Sequence, residues 1–448
     1  MKNHLFKSSA RRGAVLLFIC LATAATAQNT ITTPTYEVFG GMRYRMELDG
    51  KFFKNDAKPL WIHLLRTTLG ARARVTDDIS LLVQLQDARN FGEENSTLGR
   101  GTLDGTAKNF SVRQGYMEWK NLLADSLNLK LGRMIFTTNN ERLIGALDWH
   151  NVGRSYDGAV LNYGLGGGFK ARAFGFRLGS DELQMTASTR QIPQSIFGLD
   201  IDIPLQEKLN LYVYRDHNST KVDSGDYHGE NVLDRYTMGV YLANHIGAFE
   251  YEAEAEYQTG SHFEVGHEHG NVSAIIAGIY AGALLDKESQ FRAGAGVDYY
   301  TGDDKSTTDV NEHADHLFIT IYKFYGAMDF FPTTVTPATG QRKALAVTNL
   351  GLIDPYIRLE NSFFKNWKFS LVGHYFLAQQ PFKNANVETR DIGAEIDLNT
   401  GYTISKNASL QCGLSGFFPG AALKESNPLV GLGTDPAYWV YTMLAVSF

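Results

Sequence analysis

Cysteine is almost missing from this chain. Of 448 residues only Cys20 and Cys412 are cysteines, and Cys20 falls in a segment that reads as a removable leader. That excludes a disulfide framework and a cysteine-based zinc cluster. Proline is scarce, 11 residues in all. No apolar run beyond the leader reaches the roughly 18 residues that a membrane-crossing helix needs. Net positive charge is lacking too: the formal charge is −6, which argues against a nucleic-acid binder. There is no Gly-x-Ser-x-Gly elbow, no phosphate-binding loop and no arrangement of Ser, His and Asp that the sequence alone supports, so no catalysis is expected. No internal repeat of about 20–50 residues appears, which speaks against a propeller or solenoid.

What is present begins with an export signal. Lys2, Lys7, Arg11 and Arg12 precede the apolar run Ala14–Ala22, and Ala25-Thr26-Ala27 fits a small-x-small cleavage site. Residues 1–27 are read as the leader and residues 28–448 as the mature unit, starting at Gln28. Ile19 stands before Cys20 where a lipoprotein needs a small residue, so no lipid anchor is expected. Removing the leader takes away four positive charges and no negative ones, and the net charge becomes −10. The mature chain is rich in glycine (44 residues in the whole sequence) and in aromatics (12%). With no staples and no apolar helix, its stability has to come from a different architecture.

Period-2 alternation runs through almost all of it, which is the strand signal. In residues 42–48 Met42, Tyr44, Met46 and Leu48 share one face, and Arg43, Arg45 and Glu47 the other. In residues 249–258 Phe249, Tyr251, Ala253, Ala255 and Tyr257 oppose Glu250, Glu252, Glu254, Glu256 and Gln258. Eighteen such segments are predicted, near 36–48, 62–75, 79–91, 109–120, 126–136, 155–164, 168–178, 195–204, 208–216, 232–244, 247–260, 272–285, 289–301, 354–364, 367–379, 389–404, 407–419 and 437–448. Most suit a tilted bilayer crossing of about 9–11 residues better than a soluble strand. Nine long connections alternate strictly with eight short ones. The fold class is therefore all-β: one antiparallel transmembrane β-barrel of about 18 strands, monomeric, in the outer membrane of a Gram-negative bacterium. Short turns and both termini are expected on the periplasmic side. Sixteen strands stay open, because residues 183–189 offer a rival for 195–204. Soluble β-sandwiches are the alternative class.

The last strand agrees. Val440, Thr442, Leu444, Val446 and Phe448 share a face, and a terminal aromatic on such a strand resembles the signal read by the barrel-assembly machinery. Trp439, Tyr438 and Tyr441 are expected at a membrane interface.

If the apolar faces meet lipid, the opposite faces line a lumen too wide at eighteen strands for side chains to fill. That inward set holds Arg43, Arg45, Arg66, Arg72, Arg74, Lys170, Arg172, Arg235, Arg292, Arg358 and Lys368. It also holds Glu47, Glu250, Glu252, Glu254, Glu256, Asp298, Glu360, Glu395 and Asp397. The basic residues concentrate early, and the glutamate ladder at 250–256 lies opposite the strand at 62–75. A positive wall facing a negative one would orient a charged solute; mutual neutralisation of a wetted lumen explains the same pattern.

The connection at 137–154 and its flanks are unlike a linker. GRMIFTTNNERLIGALDWHNVGRSYDGAVL, from Gly132 to Leu161, carries Arg133, Arg142 and Arg154, Trp149, Asp148 and Asp157, with Gly132, Gly153 and Gly158 positioned to bend the chain inward. Arg142 and Arg154 can hold carboxylates bidentately, while Trp149 or Tyr156 can stack on sugar rings; Asp148 can equally pair with an arginine and fix the loop. This run resembles that of the alginate-export family of outer-membrane porins. The stretch Tyr299–Phe331, with its GDD and FYGAMD segments, is similar to a second run of that family. Matched positions are Arg133, Glu141, Arg142, Asp148, Trp149, Asn151, Arg154 and Asp157, then Asp303, Asp304, Tyr325, Gly326 and Asp329. Met134 departs from the family's usual Gln. The resemblance implies an eighteen-stranded monomeric barrel with an arginine-lined constriction of folded-in loops that passes an anionic uronate polymer.

Metal readings are weaker. His262, His267, Glu268 and His269 share one loop, and His217, His228, His313 and His316 lie in others, without a fixed ligand spacing. Asp303, Asp304 and Asp309 suit Ca²⁺, but lack the glycine and terminal glutamate of an EF-hand. No cofactor is expected. Passive diffusion of an anionic polysaccharide or small anionic solute is the predicted function. A general or cation-preferring porin, a plugged structural or adhesion barrel, and a barrel enzyme with a Ser or His site at the rim remain as alternatives.

Overall fold

A computed structural model of the chain describes residues 33–91, 110–178, 191–205, 207–224, 227–263, 270–304, 306–307, 309–331, 347–430 and 432–448. The leader and the rival segment 183–189 lie outside the described residues. The strands are β1 (Thr35–Gly50), β2 (Leu60–Arg74), β3 (Ile79–Asn90), β4 (Phe110–Trp119), β5 (Leu127–Met134), β6 (Tyr156–Gly166), β7 (Phe169–Arg177), β8 (Gln191–Asp202), β9 (Lys208–Ser224), β10 (Tyr227–Ile246), β11 (Phe249–Phe263), β12 (Gly270–Asp286), β13 (Phe291–Thr301), β14 (Val310–Asn311), β15 (Gly351–Asn361), β16 (Trp367–Lys383), β17 (Glu388–Ser405), β18 (Ala408–Pro419) and β19 (Ala437–Ser447). Every strand except β14 pairs antiparallel with its neighbours in sequence; β13 pairs with β15 and β19 returns to β1. Eighteen strands thus close a barrel. The two-residue β14 stands outside the ring, pairing parallel with β12.

Closure satisfies the backbone that an open edge would leave bare. At the seam Phe448 N–H donates to Gly40 O at 3.0 Å, and Gly40 N–H donates to Phe448 O at 3.1 Å. Large apolar side chains such as Leu69, Leu131, Ile279, Ile357, Leu414 and Leu444 are exposed on the outer face. In water each would forfeit about 25 cal/mol per Å² of apolar surface left wet, so this belt is built for lipid. Phe249, Phe363, Phe364 and Phe448 crowd the end that carries the short turns.

Three differences from the sequence reading are instructive. The long connection expected at 217–231 is strand instead: β9 and β10 continue as one hairpin to Ser224 and Tyr227. The connection at 420–436 holds a short helix, Ala421–Ser426. Trp439 and Tyr441 are not interfacial. Both are buried on the inward face, where Trp439 Nε1 donates to Glu47 at 2.9 Å and Tyr441 Oη donates to Asn399 at 2.9 Å. The same alternation that sends Leu444 outward sends Trp439 and Tyr441 in; only Tyr438 keeps an exposed outer position.

Candidate functional site

Two connections leave the loop end of the barrel and fold into its lumen. The first joins β5 to β6 (residues 135–155), and the second joins β13 to β15. They run together as a pair. Phe318 N–H donates to Leu143 O at 2.7 Å, Gly145 N–H to Phe318 O at 2.9 Å, and Thr320 N–H to Glu141 O at 3.0 Å. Gly145 is required by this approach, because a Cβ there would stand 2.1 Å from Thr320 Oγ1. Glu141 also accepts from Thr320 Oγ1 at 2.6 Å and pairs with Lys323. Arg154 closes the pair from above, donating to the Phe318 carbonyl and, at 3.2 Å, to Gly145 O.

The pair is anchored to both sides of the barrel. On one side Arg142, 4% exposed, pairs with Glu254 of β11 and at 2.8 Å with Asp298 of β13. Its remaining Nη1 donates to Tyr325 Oη at 2.9 Å, and Phe324 stacks beneath the guanidinium. Because Tyr325 Oη accepts from arginine, it donates onward to His316 Nε2 at 2.8 Å. Burial, then the charges of Arg142, His313 and Arg235, hold His316 well below its ordinary value, so it accepts as a neutral ring. Asn140 adds bonds to Glu252 and Glu254 at 2.7 and 2.8 Å.

On the opposite side the tip, Asp148–Asn151, is gripped by β1–β4. Arg66 Nε donates to Asn151 O at 2.7 Å, Nη1 to Asp148 Oδ1 at 2.6 Å, and Nη2 to the carbonyls of Asp148 and His150. Arg43 donates to the Asp148 and Trp149 carbonyls at 2.6 and 3.1 Å. Arg45 lies over Trp149 at 4.2 Å from the ring centre. Trp149 also packs on Tyr322, Trp439 and Tyr441. Around the ring β2 and β11 are nine strands apart in either direction, so the first connection crosses a full diameter.

The sequence profile of the alginate export family matches residues 39–334. The chain belongs to the alginate export family. No curated protein matches it. Among solved structures it is similar to Pseudomonas aeruginosa OccK9 (OpdG), at 13% identity and a TM-score of 0.56, covering 94% of this chain and 100% of that one. Acinetobacter baumannii OccAB4 is similar at 11% identity with the same TM-score and coverage. At such identities the likeness establishes the fold alone: that of an outer-membrane porin-type barrel. Family and fold are those of channel proteins.

In this alginate-export barrel the expected site residues separate into groups. Arg43, Arg45, Arg66, Asp148, Trp149 and Asn151 meet at the loop tip. Arg142 meets Glu254 at the far wall, where Asn140 reaches Glu252. Arg142 and Arg154, expected to be able to hold carboxylates, and Arg66, expected on the inward basic wall, all bond the protein's own groups. Glu256 is buried and accepts from Tyr212 Oη at 2.7 Å. Glu250 pairs with Arg292 at 2.6 Å, and Arg172 with Asp200 at 2.9 Å, away from the tip. Arg72 and Arg74 lie at the turn end of β2, in no ion pair among the described residues, with Glu37 as the cross-strand partner of Arg72. Arg133 and Asp157 do not enter the lumen. They pair at 2.6 Å on the outer face, in register with Leu131 and Ala159 two residues on, because strand parity carries them outward. Asp303 Oδ1 accepts from Glu312 N–H at 3.4 Å and Asp304 Oδ1 from Ser306 N–H at 2.9 Å, and no group of three metal-ligating side chains occurs among the described residues. His262, His267, Glu268 and His269 fall where side chains are outside the described set.

Arg113 escaped the sequence reading. It is 4% exposed, donates to Ser155 Oγ at 3.2 Å and stands 3.6 Å from Asp148. It sits at a register shift opposite Gln84 and Leu85, so the alternation that flags inward residues breaks at that position. Four guanidiniums (Arg43, Arg45, Arg66, Arg113) therefore face three carboxylates, Glu47, Asp148 and Asp329. Carbonyl oxygens satisfy their hydrogen bonds without cancelling their charge. The residual field is felt in the loop itself. Burial, then Arg45, Arg66, Arg43 and Arg154, push His150 below its ordinary value. Burial would raise Asp148, but Arg66, Arg43 and Arg113 outweigh it and hold the carboxyl low.

Glu141 provides a pH test of the loop pairing. Burial raises its carboxyl, but the bonds from Lys323, Thr320 and Ala146 N–H prevail, and it lies below its ordinary 4.5. A depressed carboxylate stabilises above its free value, and that contribution is lost as pH falls through the depressed one. Channel conductance is expected to stay level from about pH 7 to 5 and to rise only below about pH 4 as the pair loosens. Glu141→Gln should show the open level at every pH. An unchanged acid step in that variant would remove Glu141 from the role.

Proposed function

We propose that this barrel is a passive outer-membrane channel for small acidic solutes of the sugar-acid class, without catalysis. The observation that carries the reading is the surplus of positive charge around the loop tip: four guanidiniums of β1–β4 face three carboxylates, Glu47, Asp148 and Asp329, opposite the acidic β11–β17 side. An acidic solute is drawn to and oriented by that transverse field. The paired connections favour a single sugar acid over a uronate polymer, because a polymer needs a lumen that the pair crosses. Arg43, Asp148 and Trp149 at the tip, and Arg72 and Arg74 at the turn end, form the solute-facing series in this reading. Export by leader 1–27, insertion guided by Phe448, and periplasmic turns and termini complete it.

The second reading, a cation-preferring porin, is favoured by the acids Glu252, Glu360 and Asp397 on the other side of the lumen. Reversal potentials in planar bilayers separate the two. In a tenfold potassium chloride gradient the first reading expects the sign of anion selectivity, with glucuronate able to replace chloride as charge carrier. Cation selectivity with no glucuronate current would sink it.

A further inference from the structure

Beneath the paired connections, against β11–β17, lies a cavity of about 380 Å³, within the size range of small-molecule sites. Most inward arginines are already engaged by carboxylates: Arg45 by Glu47, Arg172 by Asp200, Arg235 by Asp216 and Arg292 by Glu250. Arg358 of β15 is different. It lines this cavity and, among the described residues, has no carboxylate partner. Its guanidinium is held by rings instead, 5.2 Å from the centre of Tyr280 and 5.7 Å from that of Tyr356. Those two rings are parallel within 4°, their centres 6.3 Å apart.

The neighbouring wall is cut away to make this arrangement. The cross-strand partner of Arg358 on β13 is Gly294, and that of Tyr356 is Gly296. A Cβ at Gly294 would stand 2.3 Å from Tyr280 Oη, and one at Gly296 would stand 2.4 Å from Tyr356 Cζ. Both rings occupy the space that any larger residue would fill. Glu252, Glu360 and Asp397 flank the same cavity, and the other two acids that line it, Glu254 and Asp298, are engaged by Arg142. A guanidinium with free donors, two ring faces and flanking carboxylates is the chemistry that holds a hydroxy acid. Its carboxylate takes Arg358, its C–H face lies on the tyrosines, and its hydroxyls donate to the glutamates.

We infer that Arg358, Tyr280 and Tyr356 form a saturable subsite for a monomeric sugar acid, distinct from the arginines of the loop tip. The inference rests on the small-acid reading of the channel and assigns the residues that recognise the acid.

The test uses the full-length protein in liposomes, with uptake of D-glucuronate and of D-glucose followed against concentration. Glucuronate uptake by the native channel should saturate. Arg358→Gln should raise the half-saturation concentration for glucuronate about tenfold and that for glucose less than about twofold, as expected for loss of one charge-assisted contact. Arg358→Lys keeps the charge without the planar fork and should fall between. Tyr356→Leu should weaken both sugars together. Saturation unaffected by Arg358→Gln would overturn the subsite, as would unsaturated glucuronate uptake by the native channel, while the small-acid channel would stand. A native channel that takes up no glucuronate would remove both.

Discussion

Replacing Arg142 by Ala should open the channel. Among the described residues the guanidinium alone ties Glu254, Asp298 and Tyr325 to one point, and all are buried around it. Removing one partner of a buried ion pair costs about 3–5 kcal/mol, because the remaining charge stays buried and unpaired. Here two carboxylates would be left facing each other. The barrel itself is held by backbone ladders that do not involve Arg142. The cost should therefore fall on the connections, which can leave the wall and let water reach the acids. Single-channel conductance is expected to rise at least about twofold, with added flicker, while the heat-modified gel shift of the folded barrel persists. Arg142→Lys should recover little, since an ammonium cannot reach three partners in the fixed geometry of the fork. Arg142→Leu combined with Glu254→Leu and Asp298→Leu should restore part of the native conductance, because it removes the orphaned charges along with the cation. Native conductance and native protease resistance of residues 137–154 in Arg142→Ala would show that the anchor is not holding the pair.

The second large effect concerns charge. Arg66 holds the loop tip by four hydrogen bonds, three of them to backbone oxygens. Bonds from a charged donor are worth about 1.5–3 kcal/mol each, and several made by one group do not add fully. Arg66→Leu should free the tip and lower the ratio of anion to cation permeability several-fold, because one of four guanidiniums is gone while the three carboxylates stay. Asp148→Asn should move the ratio the other way. It removes a carboxylate that Arg66, Arg43 and Arg113 all face, yet leaves the carbonyl contacts of the tip in place. The opposite signs are the check: measured in one salt gradient, shifts in the same direction would exclude a selectivity set by the balance on this wall.

Much of this architecture is legible in the residue order, for a simple reason. Lipid outside and water inside impose a binary choice at each position of a strand, so Met42, Tyr44 and Met46 separate from Arg43 and Arg45 without any tertiary knowledge. The same logic applied one residue out of step explains the failures. Trp439 and Tyr441 look interfacial by composition, yet their parity places them in the lumen. Arg133 and Asp157 look functional by composition, yet their parity places them outside. Arg113 is hidden by a bulge that resets the alternation. The partners of Arg142 were not readable at all. Glu254 and Asp298 lie 112 and 156 residues away in sequence, and nothing local encodes which inward acid a loop arginine will meet. For the same reason the loop run marks a special element, but whether its arginines serve a solute or the loop itself is decided by contacts across the barrel.

The connection that crosses from β11 to β2 has a consequence for assembly. Its span is set by a fixed number of residues between Arg142 and Asp148, and it fits only one cross-section. Barrel diameter grows nearly in proportion to strand number. A ring missing a hairpin would leave the span buckled, and a ring with one extra would leave Arg66 or Glu254 out of reach. The span therefore works as a gauge of circumference. It seats where the two walls stand at the separation that the closed eighteen-strand ring sets.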